Sequence, residues 1–111
     1  MKPFYLETSG KGFWSQEQRR VKITNVTLGW FSREIRVFFD KKSWDTEKHG
    51  LIYTDPLFIK QLREHLFDVG MPQHVSKDID YTEQGMQGDN FVSLEFGQKM
   101  EKQVINFFFG D

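Results

Sequence analysis

Hydrophobic residues change period several times along this chain, and each change marks an element. Ile35, Val37 and Phe39 alternate with Glu34, Arg36 and Phe38, the two-residue period of a half-buried antiparallel strand. Over residues 20–31 the period is again two, but its parity flips: Val21 and Ile23 are odd, whereas Val26, Leu28 and Trp30 are even. Side chains keep to one face only at strict period two, so a bulge or bend near Thr24 and Asn25, assisted by Gly29, is predicted. Residues 31–33 then suit a hairpin, although no Asn-Gly type of turn signal occurs there. Val92, Leu94 and Phe96 alternate with Ser93 and Glu95 and predict a further strand. Residues 4–6 suit a short strand, followed by a Ser9, Gly10, Gly12 loop that leads to Phe13 and Trp14.

The period lengthens to that of a helix over residues 55–69. Phe58, Leu62, Leu66 and Val69 fall at spacings of four, four and three, which puts them on one stripe. Thr54 or Asp55 can cap this helix, Pro56 fits its first turn, and Gly70 followed by Pro72 ends it. After Gly97, the residues Met100, Val104, Phe107 and Phe108 fit a second helical stripe. The run 98–103 is made mostly of good helix formers, which favours a C-terminal helix over an aromatic strand. Residues 41–50 form a polar loop carrying Trp44 and His49, and a short apolar run follows at 51–53. Residues 71–90 form a long polar connection with room for a short strand around 79–81. The order of elements predicts an α+β fold: an antiparallel sheet of about four to five strands, with the helix 55–69 and a C-terminal helix on one face. No repeat, low-complexity tract or linker appears, so residues 1–111 are expected to form a single domain.

Composition narrows the function more than the fold. The hydrophobic fraction is 38%, yet twelve Phe, three Trp and three Tyr supply much of it, so a few large side chains must build the core. Fifteen basic residues against sixteen acidic ones give a formal charge of -1, which removes the broad attraction that non-specific nucleic-acid binding needs. The absence of cysteine excludes disulfides, a thiol nucleophile and zinc–thiolate sites. No leader-like or membrane-length apolar run is present, so a cytoplasmic location away from membranes is expected.

Motifs for chemistry are sparse. His49, His65 and His74 stand 16 and 9 residues apart, which matches no metal spacing, and His65 sits at the rim of the helical stripe, where a packed ring is expected. No serine occupies a Gly-x-Ser-x-Gly elbow, and neither glycine-rich phosphate loop occurs, so no catalytic residue, cofactor or metal is assigned. Asp78, Asp80, Thr82 and Asp89 fall on calcium-loop positions 1, 3, 5 and 12. Glu83 occupies the position that needs glycine, and the closing Glu is absent. Gly85 and Gly88 more simply permit tight turns into the strand at Phe91. Tyr81, Glu83, Gln84 and Gln87 of this loop, together with Trp14 and Trp44, are the candidate binding surface. Basic residues at 19, 20, 22, 33, 36, 41 and 42 lie near Trp14, Trp30 and Trp44, an arrangement that can hold single strands of nucleic acid. Interspersed acids favour solvated strand faces instead.

The run DYTEQGMQGDNFVSLEFG, residues 80–97, resembles a segment of uncharacterised bacterial proteins, including orphan proteins encoded on integron gene cassettes. The resemblance implies a compact, bacterial, cytosolic α+β protein that acts by binding or self-association, and it carries no catalytic residues. Together with the aromatic surplus, it leads to the expectation of a binding or interaction module that forms a homo-oligomer, most simply a dimer. Phe39, Phe58, Phe96 and Trp30 are assigned to the core, leaving Phe13, Trp14, Phe38, Trp44, Phe91 and Phe109 over. The alternatives are a small-molecule pocket lined by aromatics, with or without enzymatic activity, and a nucleic-acid-binding module.

Overall fold

In a computed structural model that describes residues 2–10, 18–29, 33–78, 86–88 and 90–110 (backbone alone at 77, 78, 86 and 87), the alternating segments pair as one antiparallel sheet. Its strands are β1 (Phe4–Glu7), β2 (Arg20–Leu28), β3 (Glu34–Phe39), β4 (Met86–Gln87) and β5 (Phe91–Glu95), in the spatial order β1-β2-β3-β5-β4. With only two residues, β4 is little more than a fringe on β5. The parity flip in β2 is a register irregularity between Ile23 and Asn25: Ile23 stands opposite Phe39, Asn25 opposite Phe38, and Val26 opposite Val37. One extra residue in β2 thus returns Val21, Ile23 and Val26 to a single buried face. The hairpin closes with the Gly29 N–H donating to the Glu34 carbonyl, while Arg33 takes a left-handed φ of 64°.

Among the described residues, α1 (Thr46–His49), α2 (Pro56–Asp68) and α3 (Gln73–Asp78) lie between β3 and β4 in the chain, and α4 (Glu101–Phe109) follows β5. The apolar run at 51–53 becomes a 3-10 turn, Ile52–Thr54. Asp55 caps α2 by accepting from the Leu57 and Phe58 N–H groups. The same carboxylate accepts from the backbone N–H and hydroxyl of Ser9, which ties the end of β1 to the start of α2. Phe58, Ile59, Leu62 and Leu66 face the core together with Leu6, Val37, Leu94 and Val104, so α2 and α4 cover the same side of the sheet.

Val69, expected as the fourth member of the α2 stripe, is 54% exposed. It is the C-cap residue, where the chain is already leaving the helix. The Gly70 N–H donates to the Phe67 carbonyl and the Met71 N–H to the Leu66 carbonyl, the paired bonds of a Schellman turn. Gly70 has φ +117°, and the turn delivers Met71, rather than Val69, into the core. Gly70→Ala is therefore expected to lower stability by about 1–2 kcal/mol, read as a lower urea midpoint with unchanged slope, because a Cβ strains this backbone.

Of the aromatics assigned to the core, Phe39, Phe58 and Phe96 are buried. Phe13, Trp14, Trp30, the strand expected at 79–81 and the calcium-template positions 80, 82 and 89 lie outside the described residues. Gly88 fits its expected role, since its N–H donates to the Phe91 carbonyl and a Cβ there would overlap the Phe91 ring.

Candidate functional site

Of the residues proposed from sequence as a binding surface, only Trp44 and the Gln87 backbone lie among the described residues. Trp14, Tyr81, Glu83 and Gln84 lie outside the described residues, and the Gln87 backbone pairs with Val92 at the sheet edge. Trp44 is a correction, since it is 2% exposed and belongs to the core. Asp45 caps α1 by accepting from the Glu47 and Lys48 N–H groups. That short helix brings the Gly50 carbonyl 3.0 Å from the Trp44 indole N–H, satisfying its one polar atom. An indole so placed cannot meet a ligand.

A different site forms where β1, β2, α2 and α4 meet. Val26 and Leu66, both buried, are the base of a groove of about 550 Å³ whose sides are the half-buried Phe107 and Phe108 of α4. Phe4 and His65 line it from β1 and α2, and Lys2, Pro3 and Val69 complete the lining. The Phe4 and His65 rings stack with centroids 3.6 Å apart and planes inclined by 11°. The imidazole is therefore held flat against the phenyl ring at the groove. Burial holds His65 below its ordinary pKa, while the Asp68 charge one turn along α2 pulls it upward. The lowering favours the neutral ring, which can donate one hydrogen bond and accept one. Lys2 is then the one charged group among the described residues lining the groove.

The volume lies within the range of small-molecule sites, and the lining is apolar apart from these two nitrogen-bearing side chains. No protein-family model, curated protein or solved structure matches the chain. The groove is consequently read from its own chemistry. Among the described residues it offers no hydroxyl, thiol or carboxylate to attack a substrate, so the arrangement can hold an apolar body and contact a polar group on it. Sequence inspection missed the groove because its walls come from residues near 4, 26, 66 and 108. The one local signal was His65 at the edge of an apolar stripe.

The opposite face of the sheet carries a second arrangement. Glu34, 6% exposed, accepts from the Ser93 hydroxyl at 2.6 Å and from Arg36 Nε at 2.8 Å through one carboxylate oxygen. The Arg36 guanidinium in turn lies 4.9 Å from the Phe91 ring centroid, and Phe91 packs against Phe38. Further along this face Arg20 pairs with Glu7 at 3.5 Å and covers the Tyr5 ring at 4.6 Å. Both arginines are thus engaged by a carboxylate and an aromatic ring within the fold, which argues against this face as a track for a nucleic-acid backbone. Among the described residues no helix is long and apolar enough to cross a membrane, and no group of three or more His, Asp or Glu side chains is placed to hold a metal ion.

Proposed function

We propose that this chain is a binding module, and that its working element is the groove between β1, α2 and α4, which takes a small apolar ligand. The observation that carries this reading is the groove itself: about 550 Å³ of space lined by Phe4, Val26, Leu66, Phe107 and Phe108, with the stacked His65 ring beside it. A monomer that leaves several aromatic edges around one concavity gains free energy when an apolar molecule displaces the water there. The bacterial, cytosolic character implied by the resemblance of residues 80–97 to integron-cassette proteins belongs to the same proposal.

The experiment is a titration with N-phenyl-1-naphthylamine, a neutral dye whose fluorescence rises in apolar surroundings. Binding is expected for the native chain and for Phe67→Ser, because Phe67 is exposed but does not line the groove. Phe108→Glu should abolish it by placing a carboxylate in the lining, and Val69→Asn should weaken it. Retained binding in both groove variants would place the dye elsewhere and remove the reading.

Self-association is the second reading, and the specific observation for it is on α4. Ile105 is 41% exposed and Phe109 is 74% exposed, so the helix that walls the groove also presents apolar side chains outward. A homodimer would bury them. Light scattering behind size exclusion distinguishes the readings: a one-chain mass that does not change with concentration leaves α4 unpartnered and removes the dimer. The β1 edge offers little to such an assembly. Pro3 precedes it and Gln61 Oε1 accepts from the Glu7 N–H at 2.6 Å, so the edge is partly closed to strand pairing.

A further inference from the structure

We infer that the groove selects an apolar organic anion, a small ring or short-chain body carrying one acidic group, with Lys2 and His65 receiving that group. This inference rests on the groove being the binding site and adds the charge of the ligand. Its basis is the asymmetry of the lining. The chain as a whole carries a formal charge of -1, yet the groove is lined by an ammonium and an imidazole with no carboxylate among its described lining residues. The other described side chains that line it are apolar, so a ligand must supply a hydrophobic body, and the two nitrogen-bearing groups fit a single polar head.

The stacking geometry makes His65 suitable for that task. With its plane fixed against Phe4 at a centroid distance of 3.6 Å, the ring keeps its edge nitrogens in one plane, so a hydrogen bond to an acid group costs little further ordering. Neutral imidazole donates to an anionic oxygen, and the bound anion in turn favours protonation of the ring. Asp68, exposed and one turn further along α2, is the carboxylate that acts on His65 from the same helix. It is not part of the lining. Lys2 is exposed, so its ammonium can follow the ligand head without disturbing the core.

Two dyes with the same aromatic body test the charge preference separately from the groove. N-phenyl-1-naphthylamine is neutral, and 8-anilinonaphthalene-1-sulfonate adds one anionic group to it. The anionic dye is expected to displace the neutral one and to bind more tightly, with an advantage that shrinks as salt is raised. Lys2→Glu should weaken the anionic dye by about fivefold, the upper range for one exposed ion pair, and the neutral dye by less. Near-ultraviolet circular dichroism of the variant should match that of the native chain. Equal affinity for the two dyes, or equal weakening of both by Lys2→Glu, overturns the anion preference but leaves the groove standing as a site. Failure of both dyes to bind removes the groove and the preference together.

Discussion

Replacing Trp44 by Ala is expected to lower the unfolding free energy by about 3–5 kcal/mol, the range for deleting a large buried aromatic. Trp44 heads the largest fully buried side chains, and its ring meets the His49 ring at a centroid distance of 5.2 Å. Truncation would leave a void that the short α1 cannot close, because the helix is held by the Asp45 cap and by its own turn. Trp44→Phe separates volume from hydrogen bonding. It keeps most of the apolar surface but loses the indole N–H that donates to the Gly50 carbonyl, so about 1–3 kcal/mol is expected. Urea unfolding followed by far-ultraviolet circular dichroism gives both numbers. A loss below about 1 kcal/mol for Trp44→Ala would return this side chain to the surface, where the polar sequence around it suggests it belongs.

The misplacement of Trp44 shows what the one-dimensional pattern can carry. Its neighbours, Lys41, Lys42, Ser43, Asp45 and Thr46, read as a solvated loop, and no period of two or 3.6 residues reaches it. What buries it is a single capped turn that reverses the chain, and reversal is invisible to a periodicity argument. Regular elements suffer less. The parity flip in β2 requires one inserted residue, and the register irregularity between Ile23 and Asn25 supplies it. The Asp55 cap and the Gly70 stop were likewise legible, since each acts on neighbours within a few residues. The tie from Asp55 to Ser9 spans 46 residues and was not. The groove belongs with the illegible features for the same reason. Phe4, His65 and Phe108 become neighbours only after β1 has paired with β2 and both helices have docked, so no local spacing announces them.

The same distinction bears on the surplus of aromatics from which self-association was expected. Phe38 and Phe91 pair on the sheet face opposite the helices, with Arg36 over the Phe91 ring, and Trp44 is buried. Among the described residues of that surplus, Phe109 alone stands mostly exposed. Of the described rings that the pattern left over, Trp44 is absorbed by the core and Phe38 and Phe91 are half-buried, while Phe4 of the first strand and Phe107 and Phe108 of the C-terminal stripe line the groove. Among the described residues, Phe4, Phe107 and Phe108 gather around the concavity, whereas Phe67, Ile105 and Phe109 are exposed outside it. A concave apolar surface favours a small ligand over a second copy, because a flat partner cannot fill it.

Leu62→Ala is expected to cost about 2–5 kcal/mol, and its comparison with Val69→Ala tests how α2 is seated. Leu62 is 1% exposed and lies between Phe58 and Leu66 on the buried face, whereas Val69 is 54% exposed beyond the last helical turn. Removing three carbons from Leu62 loses their burial and leaves a cavity lined by side chains of both the helix and the sheet, which are held apart by their own backbones. Removing two from Val69 changes little, within about 0.5 kcal/mol, because the atoms are largely hydrated already. The sequence stripe treats the two residues alike, so the difference between them isolates the effect of the Schellman turn. Equal losses would mean that the helix continues through Gly70 and that Val69 packs inward. In that case Val69 would leave the groove rim, and the cavity between α2 and α4 would lose one of its walls. A large loss at Leu62 beside a negligible one at Val69 fixes the face that α2 turns to the sheet, and with it the position of His65, one turn from Leu62, against Phe4.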